Sequence, residues 1–216
     1  LSGRWIVVGH EPGGRDLTGT AEITRDGATG YVAHYALTDA GSASVPGESH
    51  AIVYTGFEWR GRAQLGGTDT REVFAASSDG ARITGRWFEP EHSEVGGDWS
   101  AIRQDAAPQV LAVLPRSLRT GTGGVVSVVG AGFAASDALS FGPGVSARVL
   151  SRTANVARVE VTVAADAEPG ARTISLGTAT GAAAFVVYRQ IDRLEVTPAY
   201  GIARLGGGKI APVSAQ

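Results

Sequence analysis

The chain has 216 residues, with 19 Lys and Arg against 21 Asp and Glu, for a formal net charge of −2. This length accommodates one or two domains with hydrophobic cores of their own. The near-neutral charge excludes the basic surface by which proteins bind nucleic acid or an anionic membrane. The chain has no Cys, which excludes disulfides, thiolate zinc sites, iron–sulfur clusters, thioether-linked haem and a Cys nucleophile.

Three further features of the composition concern the origin of the chain and its fold class. No apolar run approaches the length of a membrane-spanning helix. Met is absent, so we expect a processed or excised piece of a longer protein. The 31 Gly residues are about twice the average share, which indicates many tight turns and therefore many short strands.

The first 107 residues predict an antiparallel β-barrel. Small or apolar residues alternate with polar ones in Leu17–Thr24 and Phe57–Leu65, the pattern of strands with one buried face. We favour a closed barrel over a sandwich because the alternation recurs on almost every strand and closure leaves no unpaired edge. Gly19, Gly61 and Gly85 fall on the inward face, where Gly relieves crowding at bends. The predicted strands are 3–9, 17–24, 31–37, 57–65, 71–76, 82–88 and 98–103, with a loop of small residues over 39–47 that contains Pro46.

Residues 108–193 predict an immunoglobulin-like sandwich. The boundary is Ala106-Ala107-Pro108, after which the pattern changes to short apolar segments separated by Gly and Pro. Seven short strands in about 85 residues fit such a sandwich. They are predicted at 110–114, 125–129, 139–141, 147–151, 157–163, 172–176 and 183–188.

An internal repeat places a second copy of this sandwich at the end of the chain. Val113-Leu114-Pro115 recurs 83 residues later as Val196-Thr197-Pro198, and Gly123-Gly124 recurs at the same offset as Gly206-Gly207. Residues 194–216 are therefore predicted to be the first strand of a second, truncated immunoglobulin-like domain. Because its partner strands are missing, we expect this segment to be poorly ordered on its own.

Two glycine-rich segments resemble nucleotide-binding motifs. Gly130-x-Gly132-x-x-Ala135 follows an apolar strand, as in a dinucleotide-binding fold, but that motif requires a following helix. Gly142-Pro143-Gly144 would break such a helix, so a simple turn is the favoured interpretation. Gly206-Gly207-Gly208-Lys209 lacks the first Gly and the final Ser or Thr of a P-loop.

The other candidate side chains also have plain structural interpretations. The four His residues have no metal-binding spacing, and the acidic segment 89–98 is interpreted as a solvated loop rather than a calcium site. The Trp residues are interpreted as barrel core, with a ligand-binding interior as the alternative. The sequence therefore predicts no catalytic, cofactor-binding or metal-binding residue. The residues considered are His10, His34, His50 and His92; Glu89, Glu91, Glu94 and Asp98; and Trp5, Trp59, Trp87 and Trp99.

Several phrases resemble known families. Gly3-x-Trp5 resembles the opening strand of streptavidin- and lipocalin-like barrels. The segment 108–133, with Phe141-Gly142 and Glu168-Pro169-Gly170, resembles the IPT/TIG group of immunoglobulin-like domains. The order of barrel and sandwiches, with the phrases 54–62 and 196–207, resembles the α subunit of bacterial quinohaemoprotein amine dehydrogenase.

This resemblance implies a place in a periplasmic complex that oxidises primary amines to aldehydes. In the family, a di-haem cytochrome c domain precedes the barrel. A β-propeller subunit and a small subunit with cysteine tryptophylquinone complete the enzyme, and electrons leave to azurin or a cytochrome c. No redox residue of the family maps onto this chain, so the resemblance implies a structural, subunit-assembly role. The alternatives are a small-molecule-binding barrel on an immunoglobulin-like stalk and an extracellular adhesion or spacer array.

Overall fold

In the computed structural model, residues 1–11, 15–39 and 43–190 are described, together with four short strands in the last part of the chain. All regular elements of this part are β-strands, as predicted, and it contains no helix long and apolar enough to cross a membrane.

Eight antiparallel strands form a closed barrel in which each strand pairs with the next along the chain. The barrel closes where the first strand pairs with the eighth, with Trp5 opposite Arg103 and His10 opposite Asp98. Alternate residues point inward, which confirms the period-2 patterns of the sequence. The strands are β1 (Gly3–His10), β2 (Asp16–Asp26), β3 (Gly30–Asp39), β4 (Ser44–Tyr54), β5 (Glu58–Leu65), β6 (Thr68–Ala76), β7 (Arg82–Phe88) and β8 (Gly96–Arg103).

The fourth strand differs from the sequence prediction. Residues 39–47 are predicted as a loop because of their small residues and Pro46, yet β4 begins at Ser44 and includes Pro46 opposite Ala36 of β3. The carbonyl of Pro46 accepts from the N–H of Gly66, beyond the last β4–β5 pair at Gly47 and Leu65. The N–H and C=O of one strand residue point to the same side, so the nitrogen of Pro46, like its carbonyl, faces β5. The missing proline N–H therefore removes no hydrogen bond to β3.

Two four-stranded sheets follow the barrel and pack face to face. They have the strand orders β10-β16-β15-β12 and β13-β14-β11-β9. The sequence does not predict β10, which pairs in parallel with β16 and is too short for a periodic pattern. The strands are β9 (Gln109–Leu114), β10 (Ser117–Arg119), β11 (Gly123–Ala131), β12 (Leu139–Ser140), β13 (Val145–Arg152), β14 (Val156–Val163), β15 (Gly170–Leu176) and β16 (Ala179–Tyr188).

The core of the sandwich is apolar and fully enclosed. Val128 and Val159 come from one sheet, Ile174 and Phe185 from the other, and all are fully buried. Phe141 meets Phe185 edge to face, with 5.2 Å between the ring centroids. Close packing of this kind holds the two sheets in one arrangement.

A buried apolar seam joins the barrel to the sandwich. The outward face of β1 and the end of β8 supply three of its side chains, and strands β9 and β11 of the sandwich supply the other three. Arg82 Nη2 donates to Gln109 Oε1 at 2.8 Å beside it. The seam consists of Ile6, Val8, Ile102, Leu114, Val129 and Ala131.

The last part of the chain is described only as four short strands. β17 (Val196–Thr197) pairs with β20 (Ser214–Ala215), and β18 (Ala203–Leu205) pairs with β19 (Lys209–Ala211). The predicted truncated domain over 194–216 lies mostly outside the described residues, and its poor order in isolation stays a prediction that amide exchange can test.

Candidate functional site

The barrel interior is filled by aromatic side chains. Trp5, Trp59, Trp87 and Trp99 all lie inside the barrel and are at most 7% exposed. The space left beside Trp5, Trp59 and Trp99 measures about 10 Å³, at the lower limit of what one water molecule needs. The interpretation of the Trp residues as core is therefore confirmed, and the small cavity leaves no room there for the alternative of a ligand.

Phe57 is an exception to the predicted inward face of the fifth strand. The alternation from Phe57 to Leu65 predicts an inward Phe57, but β5 begins at Glu58 and Phe57 is 49% exposed. It belongs to the tight turn before the strand, where its N–H donates to the carbonyl of Tyr54 at 3.0 Å. The period-2 rule does not extend into a turn.

A buried carboxylate, Glu72, is the most unusual group in the interior. It lies on β6 and is 1% exposed. Tyr35 Oη donates to its Oε1 at 2.9 Å, while Ser49 Oγ and Trp59 Nε1 donate to its Oε2 at 2.6 and 3.0 Å. Three donors from three different strands thus satisfy a carboxylate that has no cationic partner among the described residues.

The surroundings of this cluster shift two pKa values. Burial raises the pKa of Glu72, since a charged carboxylate is poorly solvated there, and the bonds from Ser49, Trp59 and Tyr35 lower it by less. Burial also raises the pKa of Tyr35 well above its usual value, and the neighbouring Glu72 adds to that shift. The cluster therefore disfavours two negative charges and can hold a proton at a pH where exposed carboxyls have lost theirs.

Sequence reasoning does not find this cluster. Thr70 and Glu72 are polar residues at inward positions of β6, and a polar residue in a strand is normally assigned to the outer face. The available signal is Gly61, which lies opposite Glu72 on β5. A Cβ at Gly61 would come within 2.7 Å of Glu72 Oε2 and 2.8 Å of Ser49 Oγ, so the glycine makes room for the carboxylate.

The four histidines lie at three places on the surface or rim. His10 Nδ1 is 2.7 Å from Asp16 Oδ1, and His92 Nδ1 is 3.4 Å from Glu94 Oε1. His34 and His50 flank Glu48 on the outer face of the barrel, at 3.2 and 2.9 Å. Across the described ranges, no group of three His, Cys, Asp or Glu could hold a metal ion.

The acidic segment and the glycine motif also have clear positions. Gly130 lies within β11 and not in a turn, whereas Gly132, with a φ of 72°, follows the end of that strand, and the next regular element among the described residues is a strand, β12. Glu91 and Glu94 are exposed on the β7–β8 connection. Glu89 and Glu94 line an open cleft of about 440 Å³ at one end of the barrel.

The opposite end of the barrel carries an exposed apolar group that we call the hairpin surface: Ile52, Tyr54 and Phe57, which are 46%, 48% and 49% exposed. They flank the β4–β5 turn, in which Thr55 has a φ of 53° and Gly56 one of 79°. Three such side chains on one hairpin are a candidate contact surface. Phe57 also lines a cleft of about 470 Å³ together with Leu1.

Some solved structures resemble this fold. A redesigned β-barrel, mFAP1, bound to DFHBI, is 14% identical, with a TM-score of 0.42 over 48% of this chain and 94% of that chain. A de novo designed fluorescence-activating β-barrel is 18% identical, with a TM-score of 0.39 over the same shares. A comparison with curated proteins gives no match.

Family models cover most of the sequence. One described as "Quinohemoprotein amine dehydrogenase, alpha subunit domain II" matches residues 1–104, which include the whole barrel. One described as "Quinohemoprotein amine dehydrogenase, alpha subunit domain III" matches residues 107–189, which include the sandwich. The chain therefore belongs to the quinohaemoprotein amine dehydrogenase α-subunit family and carries its domains II and III.

Proposed function

We propose that this chain supplies non-catalytic domains that hold together a periplasmic quinohaemoprotein amine dehydrogenase. The observation that carries the proposal is the pair of family matches, in the order of domains II and III of the α subunit. The complex would convert primary amines to aldehydes and pass the electrons through c-type haems to azurin or a cytochrome c. Haem c and cysteine tryptophylquinone would lie in the haem domain and the small subunit, not in this chain.

The physical character of the two domains supports a scaffold role. The barrel is filled by its own side chains, and the seam around Ile102 and Val129, both at most 1% exposed, joins it to the sandwich. Burial of such apolar area resists sliding or separation of the domains. A rigid body of this kind can hold partners, namely the β-propeller, the small quinone-bearing subunit and the haem domain, at fixed distances.

We assign the hairpin surface to contact with the haem domain of the same subunit. Two observations support this assignment: the match to a domain numbered II, which implies a domain I earlier in such a subunit, and the position of Leu1, which lines the same cleft as Phe57. Trp5 Nε1 donates to the carbonyl of Leu1 at 2.9 Å, which holds the start of the barrel at that end. A preceding domain would therefore be joined next to the exposed Tyr54 and Phe57.

The experiment uses the full-length α subunit, cleaved by a protease just before the barrel. In the wild type, we expect the haem absorbance to co-elute with the barrel on gel filtration. Tyr54→Glu and Phe57→Glu should separate the two pieces, because each places a charge in an apolar contact. Val125→Glu is the matched control: it changes a side chain that is 46% exposed on the sandwich and should leave co-elution intact. Unaltered co-elution of both hairpin variants would refute the assigned contact.

A further inference from the structure

The aromatic rings inside the barrel form a continuous series from one end of the barrel into its core. Tyr31 is half-buried and lines the cleft beside the hairpin surface, and its ring centroid lies 6.0 Å from that of Trp59. Phe74 lies between Trp59 and Trp99, at 6.5 and 6.0 Å. Tyr35 lies 5.3 Å from Trp99. Each separation is within the range of about 4.5–7 Å for packed aromatic pairs, so electrons can pass between neighbouring indole and phenol rings.

Tyr35 differs from the other rings in having a proton acceptor. It is 6% exposed, and its Oη donates to Glu72 Oε1 at 2.9 Å. Ser49 and Trp59 both donate to Oε2, so Tyr35 is the one donor to Oε1 among the residues described. Oε1 therefore keeps a lone pair that can take the phenol proton. A phenol must release that proton to become a neutral radical, so a base in contact with Oη favours oxidation of Tyr35.

Two tryptophans adjoin this tyrosine and its base. Trp59 binds the same carboxylate as Tyr35, through a bond of 3.0 Å from its Nε1. Trp99 packs on the phenol ring edge to face. An electron vacancy on either indole is thus next to a phenol whose proton already points at a carboxylate.

The composition of the chain and the packing of the core protect a radical at this position. The chain has neither Cys nor Met, the two sulfur side chains that oxidants attack most readily. Tyr and Trp are therefore its most easily oxidised residues. The space of about 10 Å³ beside Trp59 and Trp99 is too small for a dissolved reductant.

The buried carboxylate is costly for a core that serves packing alone. Burial of a carboxylate without a cation is unfavourable even when donors surround it. An apolar residue at position 72 of β6 would fill the same space without that cost. Departures from such local rules are expected where a protein uses the group. Glu72 therefore points to a chemical use, and a base that touches a buried phenol can accept its proton.

We propose that Tyr35 and Glu72 form a sink for oxidising equivalents, in which an electron vacancy on a barrel tryptophan ends as a neutral phenoxyl radical on Tyr35. A strong one-electron oxidant outside the barrel first removes an electron from the tryptophan. One electron then moves from Tyr35 to the tryptophan radical cation, the O–H bond of Tyr35 breaks, and an O–H bond forms on Glu72 Oε1. The step oxidises this chain and no amine, so it does not depend on the assembly role proposed above.

The test creates the vacancy inside the barrel. An ultraviolet laser pulse ejects an electron from Trp, hexaamminecobalt(III) captures that electron, and all four Trp residues lie in the barrel. In mildly alkaline buffer, in which Glu72 is ionised, the absorbance of the indole radical should decay while that of the phenoxyl radical rises by a matching amount. The rise should be slower in D₂O, because a proton moves with the electron. Absence of a phenoxyl radical would overturn the proposal.

Two variants locate the radical and its proton. Tyr35→Phe should remove most of the phenoxyl rise. Glu72→Gln keeps an oxygen and a nitrogen at the cluster but cannot take the proton, so it should slow the rise by about a hundredfold or more, the usual contribution of a positioned base. Glu72→Gln also gives an answer of its own if Tyr35→Phe fails to fold.

The controls change like residues away from the cluster. Tyr188→Phe, at a position 38% exposed on the sandwich, and Glu22→Gln, on the outer face of the barrel, should leave the rate unchanged. A phenoxyl rise that survives Tyr35→Phe and is lost in Tyr31→Phe would place the radical at the barrel end and overturn the proposal. An unaltered rate in Glu72→Gln would show that the carboxylate takes no proton, and would overturn it as well.

Discussion

At the scale of single residues, Glu72 makes the stability of the barrel depend on pH. Burial raises its pKa in the folded state above 4.5, the ordinary value for Glu. As pH rises from the ordinary pKa towards the raised one, Glu72 loses its proton in the unfolded chain before it does so in the folded chain. The contribution of Glu72 to stability is therefore fully present below about pH 4.5 and falls until the folded-state pKa is passed. The three donors around the carboxylate reduce this loss without cancelling it.

The first prediction is that Glu72→Gln flattens this part of the pH profile. The amide oxygen can accept from Ser49 and Trp59, and the amide nitrogen can donate to Tyr35 Oη, so the bonds are kept without a charge. Relative to the wild type, the variant should gain stability as pH rises above about 4.5, the ordinary pKa of Glu, measured by urea unfolding. Parallel profiles would contradict it. Glu22→Gln, on the outer face, is the control, because a similar flattening there would indicate a general effect of net charge.

A second prediction concerns Trp59, which is 2% exposed and donates to Glu72. Trp59→Ala should lower the free energy of unfolding by about 3–5 kcal/mol, since it leaves a cavity in a filled core. Trp59→Phe keeps most of the ring and should cost about 1–3 kcal/mol for the lost donor. Chemical unfolding of both variants gives the comparison, and a loss below about 1 kcal/mol for the alanine variant would contradict the packed interior.

Trp59 and Glu72 show which parts of the barrel interior can be predicted from the sequence. Alternation places Trp59 inside the barrel, because an apolar residue between polar neighbours has one favourable face. It does not place Glu72 there, because burying a carboxylate is unfavourable unless donors from distant strands surround it. Those donors, Tyr35 and Ser49, are 37 and 23 residues away in the chain, and only the strand register brings them together.

At the scale of elements, the β4–β5 turn contains a strained residue. Thr55 has a φ of 53° and Gly56 one of 79°, the two positive values of a type I′ turn. A β-branched residue rarely adopts such a φ, and the cost is of order 1–3 kcal/mol. Thr55 Oγ1 donates to the carbonyl of Tyr54 at 2.7 Å, which offsets part of that cost.

The third prediction follows from this turn. Thr55→Gly should raise the free energy of unfolding by about 1 kcal/mol, because Gly adopts the positive φ without strain. Gly56→Ala is the matched opposite change: a Cβ there meets nothing within 4 Å, so any loss of stability comes from the backbone alone. Thermal unfolding of the two variants should give shifts of opposite sign. An unchanged or lower melting temperature for Thr55→Gly would be evidence against strain at this position.

The sequence-based prediction misses the first half of β4 and all of β10, and each omission has an identifiable reason. β4 is obscured in its first half by Ser44, Pro46 and Gly47, which are turn formers in most contexts. Pairing on both sides overrides that local preference, since β3 and β5 already present complementary backbone groups. β10 has only three residues, and its position depends on β16, a strand more than 60 residues later.

At the scale of the whole molecule, the seam couples the barrel to the sandwich. Ile102 is fully buried between them. Ile102→Ser removes apolar area there and buries a hydroxyl. The fourth prediction is that this variant unfolds in two steps, whereas the wild type unfolds in one.

Two spectroscopic signals separate the domains in this experiment. All four Trp residues lie in the barrel, so Trp fluorescence reports barrel unfolding, while far-ultraviolet circular dichroism reports both domains. The two transitions should coincide in the wild type and diverge in Ile102→Ser. Val149→Ser, at a position 37% exposed on β13, is the control and should keep them coincident. Divergent transitions in the wild type would show that the seam does not couple the domains.

The last prediction concerns redox chemistry. Oxidising a primary amine to an aldehyde and ammonia consumes water and releases two electrons, so a protein that catalyses it must accept those electrons on a cofactor or redox-active side chain. This chain has no Cys, so it has neither a thiol–disulfide couple nor a thioether-linked haem. Its buried Glu72 is enclosed by Tyr35, Ser49 and Trp59 and is 1% exposed, so it offers no surface to an amine substrate. We therefore expect the purified chain, mixed with a primary amine and an electron-accepting dye, to leave the dye oxidised, whereas the assembled amine dehydrogenase reduces it. Amine-dependent dye reduction by the chain alone would refute its assignment to a purely structural role.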